Sequence, residues 1–187
     1  MGLLDGRVAL VTGGSKGLGA ATASLFAAAG ARVVVTFAND AAAAEQLIAS
    51  LPGNGHRASH TPAQDTPAIE SLAATIRAAE GRLDILVNNA GSTRVIRHAD
   101  LSALDDEFFD FVLAVNLRGP FATVRACRPM LEASGHGLVV NVGSVSGVRG
   151  GGSNIAYAAA KAGLHAMTMS WREPWRRRSG WLPSHPA

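Results

Sequence analysis

At 187 residues, with 48% hydrophobic side chains and a formal net charge of +3, the chain has the length of one domain with a sizeable core. A single cysteine, Cys127, excludes a disulfide framework and a Cys-rich zinc module, and no apolar run approaches the ~18 residues of a membrane span. The excess charge belongs to residues 171–187, since residues 1–170 hold 13 basic and 13 acidic side chains, so neither nucleic acid nor a membrane surface is an expected partner.

The opening Met-Gly-Leu-Leu-Asp-Gly lacks the basic and apolar regions of a secretory signal, and Gly6 stands where myristoylation wants Ser or Thr; a cytoplasmic protein is expected. Arg7 to Thr12 reads as a buried strand that runs into a Gly-rich turn. Residues 18–29 form an Ala-rich helix with Leu18, Ala21, Leu25 and Ala28 at helical spacing, closed by Gly30. Val33 to Phe37 is the next strand, and Ala41 to Leu51 a helix ended by Pro52-Gly53. A weak strand lies near 56–61, followed by a helix with Thr66 as cap, Pro67 as first residue, Glu70 as reciprocal partner and an end near Glu80. Leu83 to Val87 is a strand running into Asn88-Asn89-Ala90-Gly91. Helices at 102–118 and 121–134 are separated by Gly119-Pro120; Gly137 to Val142 is a strand, 147–152 a Gly-rich loop, and 155–169 a helix that Pro174 stops or kinks. Strands alternating with helices of about a dozen residues indicate right-handed βαβ units: an α/β, doubly wound, Rossmann-like parallel sheet in three α/β/α layers.

Four features carry chemistry. Thr12-Gly13-Gly14-Ser15-Lys16-Gly17-Leu18-Gly19 joins the first strand to the first helix, where glycines let a pyrophosphate approach the backbone and rest on the helix N-terminus; alone, the same run is equally a tight turn. The second strand ends Val35-Thr36-Phe37-Ala38 with no carboxylate before Asp40, and Lys16 offers a cation to a 2′-phosphate, which favours NADP over NAD; the competing reading of Lys16 is a solvated surface lysine. Asn88-Asn89-Ala90-Gly91 at a strand end either contacts a cofactor or is an ordinary turn. Tyr157, the one tyrosine, and Lys161 lie four apart on a helix face, where an ammonium favours the phenolate and equips the pair for proton exchange with a substrate oxygen. Ser144, thirteen residues earlier at a strand end, can hold that oxygen. His98, His136 and His165 lack metal-ligand spacing, and no metal site is expected; Cys127 reads as a helix-core thiol.

Over about residues 5–170 these motifs, with Val115-Asn116 and Tyr157-Ala-Ala-Ala-Lys161-Ala-Gly, resemble the classical short-chain dehydrogenase/reductases, in particular the 3-oxoacyl-[acyl-carrier-protein] reductases. The resemblance implies an NADP(H)-dependent oxidoreductase that interconverts a small ketone and a secondary alcohol, in a homo-oligomer. By it, Tyr157 exchanges the proton, Lys161 tunes Tyr157 and holds the nicotinamide ribose, Ser144 orients the substrate oxygen and Asn116 supports a water. Gly13, Ser15, Lys16, Gly17, Leu18 and Gly19 bind the pyrophosphate side, and Asn89, Ala90 and Gly91 lie along the adenosine. The family's Asp or Asn beside adenine is replaced by Ala63, with Asp65 two residues away.

The resemblance divides the chain into an incomplete family domain, 1–170, and an Arg/Trp/Pro-rich segment, 171–187, with the sheet's last strands lacking and the strand before Ser144 an expected exposed edge. Written in GC-rich codons, the segment from Arg172 yields a family-like helix end, strand and Pro-Gly in a shifted frame, which reads it as frame-shifted. A chain of this kind that binds the dinucleotide with little or no turnover is the alternative expectation.

Overall fold

The computed structural model describes residues 2–176, with side chains to Trp171. Among the described residues five strands form one parallel sheet in the order β3-β2-β1-β4-β5. They are β1 (Val8–Val11), β2 (Arg32–Phe37), β3 (Arg57–His60), β4 (Ile85–Asn88) and β5 (Leu138–Asn141). Seven helices connect and cover them: α1 (Gly17–Ala28), α2 (Ala41–Ser50), α3 (Thr66–Glu80), α4 (Asp106–Leu113), α5 (Gly119–Ala133), the single turn α6 (Ser146–Arg149) and α7 (Ile155–Arg176). The doubly wound architecture follows from burial. The central strands β1 and β4 are buried along their whole length, so both faces need helices. One face packs Val8, Leu10 and Leu86 against Leu72 and Ile76 of α3 and Cys127 and Met130 of α5; the other packs Ala9, Val11, Val33, Val35 and Val87 against Ala23 and Ala27 of α1.

Several local expectations are corrected. The buried stripe of α1 is Gly19, Ala23 and Ala27, whereas Leu18 and Leu25 are 72% and 70% exposed. Small residues win that face because α1 lies against backbone: a Cβ on Gly19 would stand 2.6 Å from Asn89 Nδ2 and closer still to the Gly13 carbonyl. Asp65, not Thr66, caps α3, since its carboxylate accepts the Ala68 N–H at 3.0 Å, and Glu70 pairs with Arg125 instead of closing a capping box. The helix expected to start at 102 is a short 3₁₀ turn at Leu101–Ala103, with α4 beginning afresh behind the Asp105 cap.

Gly119-Pro120 does not separate two helices. A π-helical turn at Ala114–Arg118 joins α4 to α5 directly, and Gly119 is needed because any Cβ there would run into the Ala63 carbonyl. The first part of the expected 147–152 loop belongs instead to α6, which Gly150 ends in the left-handed region. Finally, α7 runs on through Pro174 to Arg176, where a stop or kink was expected. The helix crosses Ser170 without interruption, and Trp171 packs on the core beside Phe121 with ring centroids 6.4 Å apart. Residues 177–187, and with them most of the frame-shift reading, lie outside the described residues.

Candidate functional site

The C-terminal ends of β1, β4 and β5 bring the sequence-defined motifs to one edge of the sheet, where open α/β sheets bind their ligands. The Gly-rich loop leaves β1 at Thr12 and is fixed on two sides. Gly13 N–H donates to Thr36 Oγ1 at 3.1 Å and Gly14 N–H to the Thr36 carbonyl at 2.9 Å. On the other side Asn89 Nδ2 donates to the Thr12 and Gly13 carbonyls at 3.0 and 2.9 Å, and Thr12 Oγ1 accepts from the Asn89 and Ala90 N–H groups. Gly13, at φ +62°, has no room for a Cβ over Ala90. The two turns therefore form one rigid surface.

That surface is suited to an anion. Unlike α2, α3 and α4, each capped by an aspartate, α1 has no side-chain cap and no acidic residue in its first turn. Its first N–H groups are left to an outside acceptor. Gly17, at φ +57°, opens onto free space, and Lys16 is exposed. At the end of β2 no carboxylate is at hand: Asp40 accepts the Ala43 N–H at 3.0 Å as the cap of α2. Ala63 lines a small cavity with Thr12, Thr36 and Thr61, while Asp65 is committed to α3.

The second half of the site rests on α7. Tyr157, half-buried, stands on the first turn beside Val112, Ala156 and Ala160. Lys161 follows one turn later and is only 4% exposed; its Nζ donates to the Val142 carbonyl at 2.7 Å and lies 5.7 Å from the Tyr157 ring centroid. Burial pushes the Lys161 ammonium below the usual lysine range. Ser144, three residues past β5, accepts the Ser146 N–H at 3.1 Å, an arrangement that leaves its own hydrogen to donate. Asn116 is fully buried in the π-helical turn; its amide donates to the Val112 and Ser92 carbonyls at 2.9 and 2.8 Å. Cys127 lies in the core with its thiol pushed up to about 12 by burial, which keeps it from acting as a nucleophile.

A family model described as short chain dehydrogenase matches residues 7–179. The chain belongs to this family. Among curated relatives it is 39% identical to D-threitol dehydrogenase of Mycolicibacterium smegmatis, over 94% of this chain and 66% of that protein. It is 38% identical to 3-oxoacyl-[acyl-carrier-protein] reductase FabG of Escherichia coli, over 89% of this chain and 66% of that one. The chain thus spans a little under two thirds of the length of each of these relatives. A metagenomic short-chain oxidoreductase solved in complex with NADP superposes with a TM-score of 0.83 at 33% identity, covering 94% of this chain and 78% of that one.

Some roles in the candidate site were not visible in the motifs. Thr12 and Thr36 are buried strand-end threonines whose hydroxyls serve loop N–H groups. Asn154 caps α7 and reaches the segment after Gly91. Its one sequence signal is position, since an asparagine directly before a helix is a good cap. Among the described residues no three His, Cys, Asp or Glu gather as metal ligands, and no helix is long and apolar enough to cross a membrane.

Proposed function

We propose that this chain interconverts a ketone and a secondary alcohol with NADP(H), on a small 3-oxoacyl thioester-like substrate. Lys161 carries the reading. A lysine this deeply buried is costly, and one held against a backbone carbonyl beside the only tyrosine is retained for its charge. Bound NADP(H) would supply or accept the hydride. The uncapped α1 N-terminus, the glycines and Asn89-Ala90-Gly91 would hold its phosphates and adenosine side, and Lys16 would meet a 2′-phosphate. The absence of a free carboxylate at the end of β2 and the NADP bound by the structural neighbour support NADP over NAD.

Within this reading Tyr157 gives its hydroxyl proton to the carbonyl oxygen as a ketone is reduced and takes it back from an alcohol. Lys161 faces the charge left on the phenolate and holds the nicotinamide ribose; Ser144 donates to the substrate oxygen. Asn116 anchors the turn behind them and supports a water toward Lys161. Likeness to a 3-oxoacyl-[acyl-carrier-protein] reductase supports the thioester class.

The test is oxidation of NADPH, followed at 340 nm, by purified protein given a 3-oxoacyl thioester. Turnover is expected with NADPH in preference to NADH, and Tyr157→Phe should lower kcat by about 100-fold or more while NADPH still binds. Tight NADPH binding without turnover would instead identify a chain that only holds the dinucleotide.

A further inference from the structure

We infer that Asn154 is a positioning residue, which registers the helical turn carrying Tyr157 against segment 92–96, the continuation of Asn89-Ala90-Gly91. The inference rests on the proposed role of Tyr157. As the third residue of α7, Tyr157 has an N–H with no partner inside the helix. Asn154 Oδ1 accepts it at 2.8 Å. The same amide sends both of its hydrogens the other way, to Thr93 Oγ1 at 3.0 Å and the Arg94 carbonyl at 2.8 Å. Asn154 is 1% exposed, so these bonds are shielded from water.

Its neighbours strengthen the same connection. The Ser153 carbonyl accepts the Ile96 N–H at 2.7 Å, and the Ser153 and Thr93 hydroxyls are 2.6 Å apart. At the near end of the segment, Asn116 Oδ1 accepts the Ser92 N–H and its Nδ2 donates to the Ser92 carbonyl. Backbone groups of residues 92, 94 and 96, outside the sheet, are thus tied in turn to Asn116, Asn154 and Ser153. The strap links the turn that embraces the Gly-rich loop to the start of the helix that presents Tyr157.

A serine or aspartate would cap α7 as well as asparagine does. Neither supplies the two hydrogens that hold the strap. A cap fixes the helical turn internally, whereas proton transfer also requires that turn at a set distance from the cofactor surface, where an error of about 1 Å costs on the order of 100-fold in rate. The residue choice is explained by the second demand.

Asn154→Ser keeps an acceptor for the Tyr157 N–H but has one hydroxyl hydrogen on a shorter side chain in place of the amide's two; Asn154→Ala lacks acceptor and donors alike. Serine should recover most of the thermal stability lost in the alanine variant. Both variants should nevertheless fall about 10- to 100-fold in kcat, with the Kd for NADPH changed less than about three-fold. Equal recovery of stability and kcat by serine would reduce Asn154 to a cap and overturn the inference. Two further readouts need no turnover. With one tyrosine in the chain, ring-labelled tyrosine gives a single NMR signal, which should move in Asn154→Ser. Exchange of the Ile96 amide, which donates to the Ser153 carbonyl, should quicken by about ten-fold while the Tyr157 amide stays protected. A wild-type protein without turnover would defeat the functional reading alone; an unmoved ring signal with unchanged exchange would defeat this inference. Should the serine variant fail to fold, Asn154→Asp, which keeps the cap and lacks the donors, permits the same comparison.

Discussion

Lys161 concentrates the conflict between stability and chemistry in one side chain. Its folded-state pKa is depressed by burial, so the unfolded chain binds the proton more tightly and neutral pH stabilises the unfolded state relative to the folded one. Stability from this group should therefore rise with pH between the depressed folded value and the ordinary ~10.4 of a free lysine. Urea titrations at pH 7 and pH 10 should show that rise in the wild type relative to Lys161→Met; an identical pH response in the two would contradict it. Gly19 illustrates a constraint of space. Gly19→Ala must displace both the Gly13 carbonyl and the Asn89 amide, which hold the two turns together. A loss of about 1–3 kcal/mol in urea unfolding is expected, with weakened NADPH binding by fluorescence titration.

At the scale of elements, polar ends explain why the helices begin where they do. Asp40, Asp65 and Asp105 each place a carboxylate on a first-turn N–H, and α1 alone among the first four helices lacks such a group. Three of these starts are legible in sequence to within a residue or two. The continuous α4–α5 connection was not legible, because Gly119 and Pro120 punctuate most chains, and here the glycine answers to the Ala63 carbonyl, 56 positions away. β5, the edge strand among the described residues, shows the opposite case, having been foreseen from motif order. Leu138 and Val140 pair in register with Ile85 and Val87, which are buried on the α1 face, yet they remain 53% and 40% exposed. An apolar edge of this kind favours association between chains. Leu138→Lys should lower the association measured by sedimentation velocity and leave the thermal midpoint nearly unchanged; unaltered association would exclude this edge as the contact.

Across the whole molecule, the end of the sheet opposite the site is tied by charge. Asp84, nearly inaccessible, receives Arg7 and Arg82 together with the Val8 N–H, while Glu80 receives Arg32 and Arg57. Burial works against the Asp84 carboxylate, but Arg82, the Val8 N–H and Arg7 outweigh it and hold the carboxyl below the usual range. Its contribution is thus fully present above the unfolded value of ~3.9 and fades as pH falls through the lower folded value. Asp84→Asn should be less stable than wild type at pH 7, with the gap closing in acid below about pH 4. A gap independent of pH would show that packing, not charge, accounts for Asp84.

The sequence by itself determined the alternation of strands and helices, the doubly wound class and the placement of Gly13, Asn89, Ser144, Tyr157 and Lys161 at strand ends and on one helix, because these depend on residue periodicity and short spacings. Tertiary structure alone decided which face of α1 is buried, that Asn89 fastens the Gly-rich loop, and that Asn154 and Asn116 share the strap at 92–96. Each of those outcomes depends on backbone groups far apart in the chain coming within hydrogen-bonding distance, and a linear pattern of residue types carries no record of such distances.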